Sequence, residues 1–96
     1  MVGVRFKVVD LCKKDAMSVV PQDVIRYDLE RCAEILRSEG FDVKGPGVMV
    51  RASRDGTEIT LYRNGRMMMN PAENKEKVRE LAENLYALME AARELP

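Results

Sequence analysis

Apolar and polar residues alternate over residues 2–10, with Val4, Phe6 and Val8 on one side and Arg5, Lys7 and Val9 on the other. That period of two predicts a half-buried first strand. Residues 11–20 break the alternation with polar and small side chains and read as a loop. Pro21 suits the first turn of a helix, where a missing N–H costs nothing, and predicts a helix over 21–39. Along it Ile25, Leu29, Cys32 and Leu36 recur on one helical face, flanked by Ala33 and Ile35. The other side carries Arg26, Glu30, Glu34 and Arg37, a solvated face on which Arg26–Glu30 and Glu34–Arg37 add only a few tenths of a kcal/mol each. Gly40 ends the helix.

Residues 41–44 alternate again as a short strand, and Gly45-Pro46-Gly47 forms a turn. Strands follow over 48–53, 58–63 and 66–70, separated by Asp55-Gly56 and Asn64-Gly65. The Asn-Gly pair predicts a tight hairpin of the primed type. Pro71 closes the sheet. Asn74 then caps a last helix whose Val78, Leu81, Ala82, Leu85, Leu88, Met89 and Ala92 make a broad apolar stripe running nearly to residue 96. The order β-α-β-β-β-β-α predicts an α+β two-layer sandwich, with two helices on one face of an antiparallel sheet. At 96 residues the chain reads as a single domain with one core, covering 1–96.

Composition narrows the chemistry. With 46% hydrophobic and 33% charged residues the chain is of globular type, and 16 basic residues against 16 acidic ones leave no global field to steer a partner. The N-terminus lacks a signal-peptide pattern and no stretch reaches the ~18 apolar residues of a membrane span, which predicts a cytoplasmic protein without a membrane partner. Cys12 and Cys32 are too few and too far apart for a metal knuckle, and histidine is absent. No pair of carboxylates stands out as an acid/base couple. The expectation is therefore a protein that is not an enzyme and has no catalytic residue, metal site or cofactor. Met67-Met68-Met69 does not change this, since alternate strand residues point apart and Met67 and Met69 read as core filling. Gly45-Pro46-Gly47 precedes no helix and carries no Lys-Ser/Thr pair, so it reads as a plain turn rather than a phosphate loop.

If Val4, Phe6, Val8, Phe41, Val43, Val48, Val50, Ala52, Ile59, Leu61, Met67 and Met69 point to the helices, their alternates form an uncovered face. The candidate binding residues there are Arg5, Lys7, Lys44, Met49, Arg51, Thr60, Tyr62, Arg66, Met68 and Asn70, with Val9, Asp42 and Glu58 beside them. Five cations against two carboxylates give this face a charge of +3. Tyr62 could stack on a base while the cations hold phosphates. An open antiparallel face is ordinarily half polar, so a plain solvated surface stands beside that use. Between the binding uses, a protein partner or self-association ranks ahead of nucleic acid.

Val48-Met49-Val50-Arg51, Ile59-Thr60-Leu61-Tyr62 and Asn64-Gly65-Arg66-Met67-Met68-Met69, in this element order, resemble one repeat of the TATA-box-binding-protein family. The resemblance runs without a gap over 47–72 and into the last helix, while residues 1–44 match in element order only. It implies the half-domain fold of that family, as in small stand-alone archaeal proteins. In the family two repeats form a concave sheet that grips the DNA minor groove and kinks it with inserted phenylalanines. By position one such wedge falls at Tyr62 and the other at Gly45, while basic residues are kept at Arg51 and Arg66. With a single repeat and no pair of wedges, the resemblance implies a lone binding or interaction module rather than a TATA reader.

Overall fold

A computed structural model of the protein describes residues 5–11, 16–44, 47–70 and 74–94. The expectations placed on residue 2, Val4, Cys12, Gly45, Pro46, Pro71 and residue 96 lie outside the described residues.

Strand β1 spans Phe6–Leu11, and a strand that the sequence pattern did not predict, β2, spans Ala16–Pro21. Helix α1 (Leu29–Ser38) follows, then β3 (Asp42–Lys44), β4 (Met49–Arg54), β5 (Thr57–Tyr62), β6 (Met67–Asn70) and helix α2 (Lys75–Leu88), which ends in a 3-10 turn over Met89–Ala92. The order is thus β-β-α-β-β-β-β-α. All six strands form one antiparallel sheet in the order β1-β2-β6-β5-β4-β3.

Two corrections share a cause in Pro21. The proline starts no helix but ends β2 opposite Phe6, beyond the stretch of β2 that pairs with β6. Its missing N–H therefore faces no ladder partner on the inner side. Chain 22–28 is irregular, and α1 begins only after Asp28, whose carboxylate accepts from the N–H groups of Glu30 and Arg31 at 3.1 and 3.4 Å. Arg26 lies before that cap, so the predicted helical Arg26–Glu30 pair has no helix to stand on. At the other end Gly40 adopts φ +93°, and the N–H groups of Phe41 and Gly40 bond to the carbonyls of Leu36 and Arg37 in a Schellman arrangement.

The primed turn expected at Asn64-Gly65 is found instead at Asp55-Gly56, which was read only as a turn. Arg54 pairs with Thr57, leaving the two-residue loop Asp55-Gly56, and both residues have positive φ (53° and 83°), as a primed turn requires. At Asn64-Gly65 only the glycine is left-handed, at φ +86°. There Gly65 N–H donates to the Tyr62 carbonyl, and Tyr62 N–H donates to that of Arg66, enclosing the three residues Arg63, Asn64 and Gly65.

Both helices cover the same face of the sheet, α1 over β3 and β4, α2 over β1 and β2. Met17, Val19, Val50, Ala52, Ile59, Leu61, Met67 and Met69 point into that interface with Phe41, Leu29, Cys32, Leu36, Val78 and Leu85, and form one buried cluster. Phe6, Val8 and Val43 pack at its margin. Val48, expected in the core, lies before β4 and is 82% exposed.

Candidate functional site

Because side chains alternate along each strand, the register aligns the uncovered face into rungs across the sheet. The central rung crosses all six strands as Val9, Ser18, Met68, Thr60, Arg51 and Lys44. On one side of it Asp42, Ser53, Glu58 and Asn70 form an acidic rung. On the other side Lys7 pairs with Val20 and Met49 with Tyr62, and Arg66 meets Tyr62 at the hairpin.

Lys7, Lys44, Arg51, Arg66 and Asn70 are exposed on this face, and Met49, Tyr62 and Met68 are half-buried. Two predicted members are corrected. Arg5 does not stand free, because its guanidinium pairs with Asp23 at 3.0 Å at the margin of the sheet. Thr60 has the right orientation but is only 6% exposed: its short side chain sits on the rung between Met68 and Arg51. With Arg5 neutralised, the face holds Lys7, Lys44, Arg51 and Arg66 against Asp42 and Glu58, a charge of +2 rather than +3. None of these six forms an ion pair with a described residue. Lys44 and Arg51 are direct cross-strand partners, a like-charge pairing that costs stability.

The structure gathers Tyr62, Arg66 and Met68 with Ser18 and Asn64 around a concavity of about 420 Å³. Lys7, Lys44, Met49, Arg51 and Asn70 share the face but do not line it. Ser18 is 3% exposed, and its Oγ accepts from Arg66 Nε at 3.3 Å. Asn64 Oδ1 accepts from the Arg66 backbone N–H at 3.0 Å. Sequence reasoning missed Ser18 because the strand carrying it read as a loop. Met17 and Val19 flank it, but Ala16 and Val20 leave the run without the polar face that would have marked a strand.

The hairpin that presents Tyr62, Asn64 and Arg66 is pinned from the covered side. The Tyr86 hydroxyl donates to the Gly65 carbonyl at 2.6 Å in a buried bond, and Tyr27 N–H donates to the Arg63 carbonyl at 2.8 Å. A Cβ on Gly65 would lie 2.8 Å from Ile25 Cδ1 and 3.1 Å from Tyr27 Cε2, so only glycine fits there without displacement. The rings of Tyr27 and Tyr86 stack with centroids 6.3 Å apart, and burial pushes both phenols up, Tyr27 to about 12 with Glu90 adding to the effect.

Nucleophile chemistry finds little footing. Cys32 is fully buried, and burial, then the Asp28 carboxylate, push its thiol up to about 12, which leaves no thiolate at neutral pH. Among the described residues that line the concavity there is no carboxylate or thiol that could serve Ser18 as a base. Among the described residues no group of three or more Cys, Asp or Glu is placed to hold a metal ion, and no helix is long and apolar enough to cross a membrane. Neither a known protein family, nor a curated protein, nor a solved structure matches the chain.

Proposed function

We propose that the protein is a non-catalytic binding module that works through the uncovered face of its sheet. The observation that carries this reading is a surplus of cations without ion pairs among the described residues on a six-stranded sheet, beside a concavity held by a pinned hairpin. Such a face is preorganised, so little ordering entropy is lost on binding. From β2 onward the order β-α-β-β-β-β-α is the one implied by the resemblance to a TATA-box-binding-protein repeat, with β1 added at the edge. That ordering supports the resemblance and, with it, the choice of face.

A second reading, nucleic-acid binding by the same face, is favoured by the Lys44–Arg51 pairing. Two like charges held opposite one another are relieved when a phosphate lies between them. Self-association draws less support, because Met49, Tyr62 and Met68 are each half-buried and Val9 is 38% exposed. Amide-shift NMR titration with short single- and double-stranded DNA and RNA at low salt tests both readings. Shifts at Lys7, Lys44, Arg51 and Arg66 that fade with added salt are expected for nucleic acid, since phosphate neutralisation releases counterions. Shifts confined to the helix layer would overturn the choice of face.

A further inference from the structure

Resting on the reading of the open face as a binding surface, we infer that the concavity beside the β5–β6 hairpin is a subsite for a small planar aromatic anion. Its oxyanion group sits on Arg66 and its ring lies against Tyr62 and Met68.

Arg66, Ser18 and Asn64, which line the concavity, each keep a donor after their internal hydrogen bonds. Arg66 spends its Nε on Ser18 Oγ, which fixes the guanidinium plane and leaves the edge formed by its two terminal nitrogens to take an oxyanion through two parallel hydrogen bonds. No described carboxylate pairs with that edge. Ser18 accepts from Arg66 and therefore keeps its own hydroxyl proton to donate, in a side chain almost wholly removed from water. Asn64 uses its carbonyl oxygen on the Arg66 backbone, so its amide NH₂ is the end left for a ligand.

The remaining lining is suited to a flat apolar body. Tyr62 offers a half-buried ring and Met68 a polarisable thioether. Glu58, the nearest carboxylate along β5, lies four residues from Tyr62, about 13 Å away at the rise of a strand. None of the described residues that line the concavity carries a carboxylate to compete with a negative ligand. A volume of about 420 Å³ suits a ligand of one or two rings.

The test is an amide-shift and calorimetric titration of the full chain with adenosine 5′-monophosphate and with benzoate. Adenosine and inorganic phosphate serve as the ring-only and anion-only probes. Saturable shifts at Ser18, Tyr62, Asn64, Arg66 and Met68 are expected with both aromatic anions, the nucleotide binding at least about tenfold more tightly than adenosine or inorganic phosphate. Tighter binding of the nucleotide assigns a phosphate, and tighter binding of benzoate a carboxylate. Arg66→Ala should lose at least about tenfold in affinity with an otherwise unchanged spectrum, Tyr62→Leu should weaken the aromatic anions more than phosphate, and Arg79→Gln on α2 should change nothing. Equal affinity in Arg66→Ala, or no saturable shift at these five amides with either aromatic anion, overturns the subsite. Oligonucleotide shifts over Lys7, Lys44 and Arg51 that spare the concavity overturn it too, while leaving the binding face itself standing.

Discussion

The two faces of one sheet are built from the same strands and meet opposite fates. On the covered face Ile59, Leu61, Met67 and Met69 are each no more than 2% exposed and belong to the buried cluster that includes residues of both helices. One residue away along the same strands, Thr60 and Met68 look outward, and their rung ends in Arg51 and Lys44. The covered face is optimised for burial. The open face buries two hydroxyl residues, Ser18 and Thr60, while leaving four cations without ion pairs among the described residues. Stability should therefore concentrate on one side and binding on the other.

The sharpest break of that comparison uses adjacent residues on β5. Leu61→Ala opens a cavity at a site 1% exposed and should cost roughly 2–5 kcal/mol, enough to unfold much of a marginal domain. Thr60→Val, on the opposite face, should stay within about 1 kcal/mol of the parent, because the change in shape is small and one hydroxyl is exchanged for a methyl. Urea unfolding of both variants measures the contrast. Similar losses for the two would mean that the open face is as tightly packed as the core.

A smaller effect separates two tyrosines beneath the hairpin. Tyr86→Phe removes the bond to the Gly65 carbonyl and should cost about 1–2 kcal/mol. Tyr27→Phe removes a buried hydroxyl with no hydrogen-bond partner among the described residues, so it should be neutral or slightly stabilising. The two rings stack on each other, which makes the difference between the variants a readout of the hydroxyls rather than of ring packing. If Tyr27→Phe proves the costlier change, the hairpin is not held as described. Amide exchange at Gly65 and Arg66 should quicken in Tyr86→Phe alone.

Strands β3 to β5 were legible in the sequence because each alternates and is bounded by Gly, Pro or Asn signals, and β6, a run of three methionines, because the Asn64-Gly65 turn placed it after β5. The uncovered residues Tyr62, Arg66 and Met68 followed from that alternation. Strand β2 was not legible, since Ala16, Met17, Ser18 and Val19 are buried on both faces and show no polar side. Losing β2 also hid Ser18, and the same misreading placed Asp23, the partner of Arg5, on a helix that begins only at Leu29. The turn types were hidden for a different reason. Asp-Gly and Asn-Gly carry the same local signal, and the choice between them rests on strand register, two residues enclosed in one loop and three in the other.

The smallest predicted effect tests whether the open face gives up stability for binding. Lys44 stands directly opposite Arg51, and neither forms an ion pair with a described residue. Lys44→Thr removes the repulsion and places a β-branched residue in a strand, so it should raise stability by about 0.2–1 kcal/mol. Added salt screens the parent pair, so the gain should shrink as ionic strength rises. The same variant should weaken binding of an anionic partner to this face, because one of four cations is gone. A variant that is more stable and binds less shows a charge retained for a ligand. If stability falls and the salt response is unchanged, the Lys44 stem contributes packing instead, and the excess positive charge on this face is an ordinary solvated surface.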